Sequence, residues 1–90
     1  MARGRLQIKL ISPANATDLT YEIIHEGRHG GEFFISVEAE ELKNFLREKL
    51  RLSEKSVQEL LKELYDNGHV LVDDIELSES DMASAGMQYL

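Results

Sequence analysis

Two β-prone runs separated by a short glycine-bearing segment constrain this chain more than any other feature. The runs cover residues 19–26 and 32–38. A three-residue hairpin loop favours a type I turn followed by a left-handed residue, which is usually glycine. Residues 28–30 read Arg-His-Gly, so Gly30 suits the left-handed position. The segment therefore predicts a β-hairpin with a defined register.

This register separates an apolar face of the hairpin from a mixed one. The predicted partners are Tyr21 with Val37, Ile23 with Ile35, His25 with Phe33, Glu22 with Ser36, Ile24 with Phe34, and Glu26 with Glu32. Successive strand residues point to opposite faces, so the first three pairs form the core face. Ile24 and Phe34 then meet on the outer face. They form an exposed apolar patch of the kind that marks contacts, unless the last strand or the C-terminal segment covers them.

The rest of the chain predicts one strand before the hairpin, then two helices and a last strand after it. Residues 5–12 alternate apolar and polar side chains, and Pro13 ends that strand. After Val37 the apolar period changes from 2 to 3.6, which predicts a helix from about Glu38. Ser53 is a favourable N-cap for a second helix, and Asn67-Gly68 supplies a left-handed stop.

The segment after the second helix predicts a final strand over His69–Leu77. Asp73-Asp74 interrupts its alternation, which indicates a bulge, a turn or a sheet edge. The whole pattern predicts an α+β fold of order β-β-β-α-α-β. In this fold a three-stranded antiparallel meander carries two helices on its apolar face, and the last strand joins the sheet or forms a wing. We expect one domain over residues 1–77, and residues 78–90 as a flexible C-terminal tail.

The predicted core consists of the apolar residues on the inward faces of these strands and helices. They are Leu6, Ile8, Leu10, Tyr21, Ile23, Phe33, Ile35, Val37, Leu42, Phe45, Leu46, Val57, Leu60, Leu61 and Leu64.

Composition narrows the function classes. The 90 residues carry a formal net charge of −7 and no cysteine, so neither disulfides nor thiolate metal sites are available. Residues 67–90 hold five acidic side chains and no Lys or Arg, which disfavours a phosphate backbone as a partner. No apolar run is long enough to span a membrane. We expect a cytoplasmic protein without a cofactor, whose acidity serves either solubility or the docking of a basic partner.

Residues 25–29 read His-Glu-Gly-Arg-His and resemble the H-E-x-x-H motif of zinc metalloproteases. In that family a helix places both histidines on one face as zinc ligands, and the glutamate serves as general base. The resemblance implies ligand roles for His25 and His29 and a base role for Glu26. Gly27 within the motif and the β-prone flanks favour a hairpin instead. In a hairpin His25 points inward and His29 lies at the loop tip, so no metal site is expected.

Residues 40–77 predict a helix, a short turn, a second helix and a strand. Within them Leu52-Ser53, Ser56-Val57, Leu61, Leu64, Gly68 and Val70 have spacings that resemble the recognition-helix segment of winged-helix repressors. The resemblance implies that the second helix enters the major groove of DNA and that the following strand leads into the wing. It casts Lys55, Ser56, Gln58, Glu59 and Lys62 as the groove-facing side chains. The basic N-terminal residues Arg3 and Arg5 would add phosphate contacts.

The leading hypothesis from the sequence is a small acidic, non-catalytic regulatory or adaptor module that binds a protein. The partner would be a basic protein, such as one that handles nucleic acid, and the contact residues would be Ile24, Phe34, Asp73, Asp74 and Glu76. The alternatives are the winged-helix DNA-binding regulator and, more remotely, the zinc hydrolase. A homodimer through an exposed strand edge is also open.

A DNA titration separates the first two hypotheses. The leading hypothesis predicts no binding of duplex DNA by fluorescence anisotropy at about 50 mM salt, because an acidic surface repels phosphate. The winged-helix alternative predicts binding that collapses at about 200 mM salt. Such binding would also weaken when Arg3, Lys55 and Lys62 are replaced. Salt-sensitive binding of this kind would contradict the leading hypothesis.

Overall fold

A computed structural model describes residues 4–12, 17–27 and 31–89 of the chain. Its elements in chain order are β1 (Arg5–Leu10), β2 (Thr20–Glu26), β3 (Glu32–Glu38), α1 (Ala39–Glu48), α2 (Glu54–Asn67), β4 (His69–Asp73), α3 (Glu79–Ser84) and β5 (Gln88–Tyr89). The α+β fold class is therefore confirmed. Pro13, which is predicted to end the first strand, and the predicted loop at residues 28–30 lie outside the described residues.

The strands form one five-stranded antiparallel sheet in the order β4-β1-β2-β3-β5. The predicted meander β1-β2-β3 occupies its centre. The last predicted strand joins the sheet beside β1 instead of forming a wing. Helices α1 and α2 make the connection from β3 at one side of the meander to β4 at the other.

The predicted hairpin register is confirmed throughout β2 and β3. Ile23 lies opposite Ile35, and Ile24 lies opposite Phe34, as do the other predicted partners. The reason is the strict alternation along both runs. A shift by one residue would carry the apolar set to the other face of the sheet.

The core lies between one face of the sheet and the helices. Its buried members in the meander, α1 and α2 are Leu6, Ile8, Tyr21, Ile23, Val37, Leu42, Phe45, Leu46, Val57 and Leu64. The other predicted core residues, Leu10, Phe33, Ile35, Leu60 and Leu61, are partly buried and pack against this cluster. Among the described residues, the opposite face of the sheet contributes none to this cluster, and we call it the outer face.

The two predicted helices begin and end at capping residues. Glu38 and Glu41 form a capping box at the start of α1. Ser53 Oγ accepts a hydrogen bond from the Ser56 amide at 3.2 Å at the start of α2. Arg47 donates to both carboxylate oxygens of Glu54 at 2.8 and 2.7 Å, which joins the end of α1 to the start of α2. These hydrogen bonds raise the pKa of Arg47 and lower that of Glu54.

The C-terminal segment departs from the predicted element order, which ended at β4. Two further elements, α3 and β5, follow β4. Met82 of α3 and Met87 before β5 are buried in the same core as the helices, and this burial holds the segment against the domain. Ser78 caps α3 by accepting from the Asp81 amide at 3.0 Å. Tyr89 of β5 lies edge-on to Phe33 with ring centroids 5.1 Å apart. The apolar residues that make these contacts are spaced irregularly along the segment. The sequence therefore shows no helical or strand period there.

Strand β4 is shorter than predicted, ending at Asp73 instead of Leu77. Asp74 has a φ of 63°, a left-handed conformation that takes the chain out of the sheet. The interruption at Asp73-Asp74 is therefore a strand end on an edge strand. Leu77 is nevertheless buried in the core.

Within the described residues, none of the helices has both the length and the apolar character needed to cross a bilayer.

Substitutions at Gly68 test whether its left-handed conformation is needed to end α2. Its φ is 83°, and a Cβ added there would meet nothing within 4 Å. Replacing Gly68 with Ala should destabilise the protein by about 1–2 kcal/mol through backbone strain alone, measured by urea unfolding. Gly68→Asn should cost less, because asparagine tolerates the left-handed region. A larger loss for the bulkier Asn would contradict strain as the cause.

Candidate protein-binding surface

A row of three apolar residues and two glutamines crosses the outer face of the sheet. The register places Leu71, Gln7, Ile24, Phe34 and Gln88 side by side on five adjacent strands. Leu71 is 50% exposed, and Ile24 and Phe34 are half-buried. We call these five residues the outer row. Its three apolar members stand apart from the core cluster, which lies on the other side of the sheet.

A depression of about 250 Å³ lies in the outer row between Leu71 and Ile24. Gln7 lines it between these two apolar side chains. Glu26, Glu32 and Arg5 line the same depression, so its wall carries two carboxylates and one guanidinium. The outer face therefore combines an apolar recess with carboxylates beside it.

The two carboxylates occupy directly opposite positions on β2 and β3. Like charges directly opposite one another in an antiparallel pair are destabilising. Arg5 lies opposite Glu26 on the neighbouring strand, but its Nε donates to Asp73 Oδ1 at 3.2 Å. Among the described residues neither Glu26 nor Glu32 forms an ion pair, so a cation from outside would be attracted to them.

The acidic residues predicted from the sequence occupy two different places. Asp73 is on the outer face, where its ion pair with Arg5 is exposed to solvent and contributes at most about 1 kcal/mol. Asp74 lies at the strand end. The side chain of Glu76 lies over Gly4, where an added Cβ would be 2.5 Å from Glu76 Oε2. The structure therefore brings Asp73 close to the outer row, while Glu76 lies against the ends of β1 and β2.

The described residues of the H-E-x-x-H string, His25 to Gly27, lie on β2 and directly after it. His25 and Glu26 belong to β2, on opposite faces of the sheet, and Gly27 follows the strand. His29 is outside the described residues. Within residues 4–12, 17–27 and 31–89, no cluster of three His, Cys, Asp or Glu side chains is arranged to hold a metal ion.

His25 instead connects the sheet to the segment after β4. The ring is buried, with 1% exposure, and its Nε2 lies 3.3 Å from the Leu77 amide nitrogen and 3.2 Å from the Ile75 carbonyl oxygen. A given tautomer satisfies only one of these backbone groups. The Ile75 amide also donates to the Gly4 carbonyl oxygen at 3.0 Å. This segment therefore lies firmly against the sheet.

The residues implicated by the winged-helix resemblance lie on α2. Lys55 and Lys62 are exposed, but so are Glu54, Glu59 and Glu63 on the same helix. Gln58 donates to Glu54 at 3.2 Å, and Ser56 takes part in the N-cap. Arg3 lies outside the described residues, and Arg5 pairs with Asp73. The lysines on this face therefore lie among a larger number of carboxylates.

Leu71, Gln7, Glu26 and Glu32 were not among the contact residues predicted from the sequence. The hairpin register does place Glu26 opposite Glu32, so that pair was detectable as an unfavourable contact. The proximity of Leu71 and Gln7 to Ile24 depends on β4 pairing with β1. Periodicity within a segment carries no information on such pairing.

Comparisons with protein-family models, with curated proteins and with solved structures give no match to this chain.

Removing the His25 ring tests its structural role. His25→Leu should destabilise the protein by roughly 1–3 kcal/mol, because it removes the hydrogen bond of the buried ring to the backbone of residue 75 or 77. Urea unfolding measures the loss, and hydrogen exchange should quicken at the Leu77 amide. His69→Leu is the control, since His69 is exposed on edge strand β4. An equal loss in both variants would contradict the role.

Proposed function

We propose that this protein is a small acidic, non-catalytic regulatory or adaptor module that binds a basic protein with the outer face of its sheet. The outer row carries the proposal, because it crosses all five strands on the side of the sheet opposite the core. Ile24 and Phe34 form its centre, and Leu71 extends it to the edge strand. An apolar centre with a polar surround is the usual anatomy of a protein interface.

The depression between Leu71 and Ile24 can hold one side chain of the partner protein. Binding energy in protein interfaces concentrates in a few side chains that fill recesses near the centre. A long side chain with an apolar stem and a cationic head suits this recess, since its head would reach Glu26 and Glu32. Lys and Arg have this construction.

Electrostatics favours a basic partner. The net charge of −7 attracts cationic surfaces over long range and speeds their association. At short range a partner cation would offset the repulsion between Glu26 and Glu32. Asp73 and Asp74 extend the acidic character at the β4 edge. A protein that itself handles nucleic acid would present such a basic surface.

The winged-helix DNA-binding regulator is the second candidate. The order α1, α2, β4 supports it, because this is the order of elements in the segment that carries the resemblance. Two lysines on α2 and Arg5 would provide its contacts. The acidic majority on α2 favours the protein-binding proposal over it.

The outer row is tested by comparing what wild-type and substituted proteins capture from a cell extract. The variants Ile24→Ser and Phe34→Ser, alone and together, remove apolar contact area from the centre of the row. Tyr65→Ser is the matched control, because Tyr65 is 64% exposed on α2, away from the outer face. Each captured protein is then purified, and its Kd is measured by calorimetry.

We expect a basic protein whose Kd rises by about tenfold or more in the double variant and stays unchanged in Tyr65→Ser. Glu26→Gln with Glu32→Gln should raise the Kd and reduce its salt dependence. Neutralising Asp73, Asp74 and Glu76 in the same way, by replacing each carboxylate with its amide, measures how much these predicted contact residues contribute to the Kd. Equal Kd values for the double variant and the wild type, in proteins shown to be folded by circular dichroism, would contradict the proposal.

A further inference from the structure

A second recess lies on the core side of the sheet, between α1, α3 and the end of β3. Its volume is about 220 Å³, and it opens to solvent. Ile35, Val37, Phe45 and Ala85 line it with apolar groups. We call it the helix groove. It is on the opposite side of the sheet from the outer row.

Acidic side chains of α1 border the helix groove. Glu41 and Glu48 both line it, with Asn44 between them. Residues seven apart lie on the same side of a helix, about 10 Å from each other along its axis. The groove therefore has an apolar floor and two carboxylates along one wall.

The two cations of α1 and the C-cap lysine that follows it contact other side chains. Lys43 pairs with Glu40 at 3.2 Å, and Arg47 pairs with Glu54. Lys49 lines the groove near its α3 end, where its ammonium donates to Ser84 Oγ at 2.6 Å.

Among the described residues, neither Glu41 nor Glu48 forms an ion pair. Glu41 does accept a hydrogen bond from the Glu38 amide at 3.2 Å. This bond is part of the capping box and leaves the carboxylate charge uncompensated by a cation. With the Lys49 ammonium at one end, the lining carries two carboxylates and one cation, and this negative balance favours a positively charged ligand along the α1 wall.

The volume of the groove favours the side chains of a peptide over a cofactor or a drug-sized molecule. Pockets for cofactors and drug-sized molecules usually measure about 300–1,000 Å³. At about 220 Å³ the helix groove is smaller, and it suits one or two side chains of a peptide.

We propose that the helix groove binds an extended basic peptide segment of a partner. An apolar side chain of the peptide would rest on Val37 and Phe45, and flanking Lys or Arg side chains would pair with Glu41 and Glu48. This inference goes beyond the proposed function, because it concerns the other side of the sheet. Each surface can fail its test without the other.

The test is an NMR titration of the ¹⁵N-labelled full chain with acetyl-Lys-Leu-Lys-amide. We expect saturable shifts of the amides of Ile35, Val37 and Ala85, with a Kd in the millimolar range, about −4 kcal/mol. Acetyl-Glu-Leu-Glu-amide should give no saturable shift at these amides. Acetyl-Lys-Gly-Lys-amide should bind at least about fivefold more weakly, because it lacks the apolar side chain.

Matched charge variants locate the contact. Glu41→Gln with Glu48→Gln should weaken binding of the basic peptide by about fivefold or more, since exposed ion pairs contribute up to about 1 kcal/mol. Glutamine at position 41 retains the capping acceptor, so α1 should remain folded. Glu59→Gln with Glu63→Gln makes the same charge change on α2 and should leave the Kd unchanged. The outer-row variant Ile24→Ser with Phe34→Ser should also bind the peptide normally.

Three results would overturn the inference. One is the absence of saturable shifts at about 10 mM peptide, well above the expected millimolar Kd. Another is an equal loss of affinity in the α1 and α2 charge variants, which would indicate attraction to net charge alone. The third is a set of shifts confined to Gln7, Ile24 and Phe34, which would assign the peptide to the outer row and support only the proposed function.

Discussion

The pairing of β2 with β3 determines which side chains this protein buries and which it presents. In the observed register Tyr21, Ile23 and His25 face the helices, whereas Ile24 faces outward. A slip of one residue would exchange these two sets and place Glu22 in the core. The core, the outer row and the position of the acidic pair all depend on this one ladder.

The sheet also separates the two candidate surfaces. Phe34 contributes to the outer row, while its neighbour Ile35 lines the helix groove. Both surfaces thus depend on β3, where successive side chains point to opposite faces. Each combines an apolar recess with carboxylates that have no ion-pair partner among the described residues. A partner with an extended basic segment would be complementary to either, and the variants proposed for each surface distinguish them.

His25 illustrates how one residue supports different interpretations at different levels. As part of a five-residue string it resembles a zinc ligand, but the strand context assigns its ring to the interior of the sheet. There it contacts the backbone of residues 75 and 77 and helps to hold the segment that leads into α3. The close approach of the Ile75 carbonyl oxygen to Gly4 adds to this contact, since any side chain at Gly4 would collide with it.

Local rules were sufficient for the hairpin register, the caps at Ser53 and Gly68 and most of the core, because these features depend on alternation, period and turn chemistry within short segments. They were also sufficient to pair Ile24 with Phe34 on the outer face. Only the tertiary structure decided that β4 joins β1 and β5 joins β3, which brings Leu71 and Gln88 into the same row. It also decided that Met82 and Met87 are buried, whereas their segment reads as polar. Pairing between distant strands and burial of isolated apolar residues depend on contacts across the whole chain, which no single segment encodes.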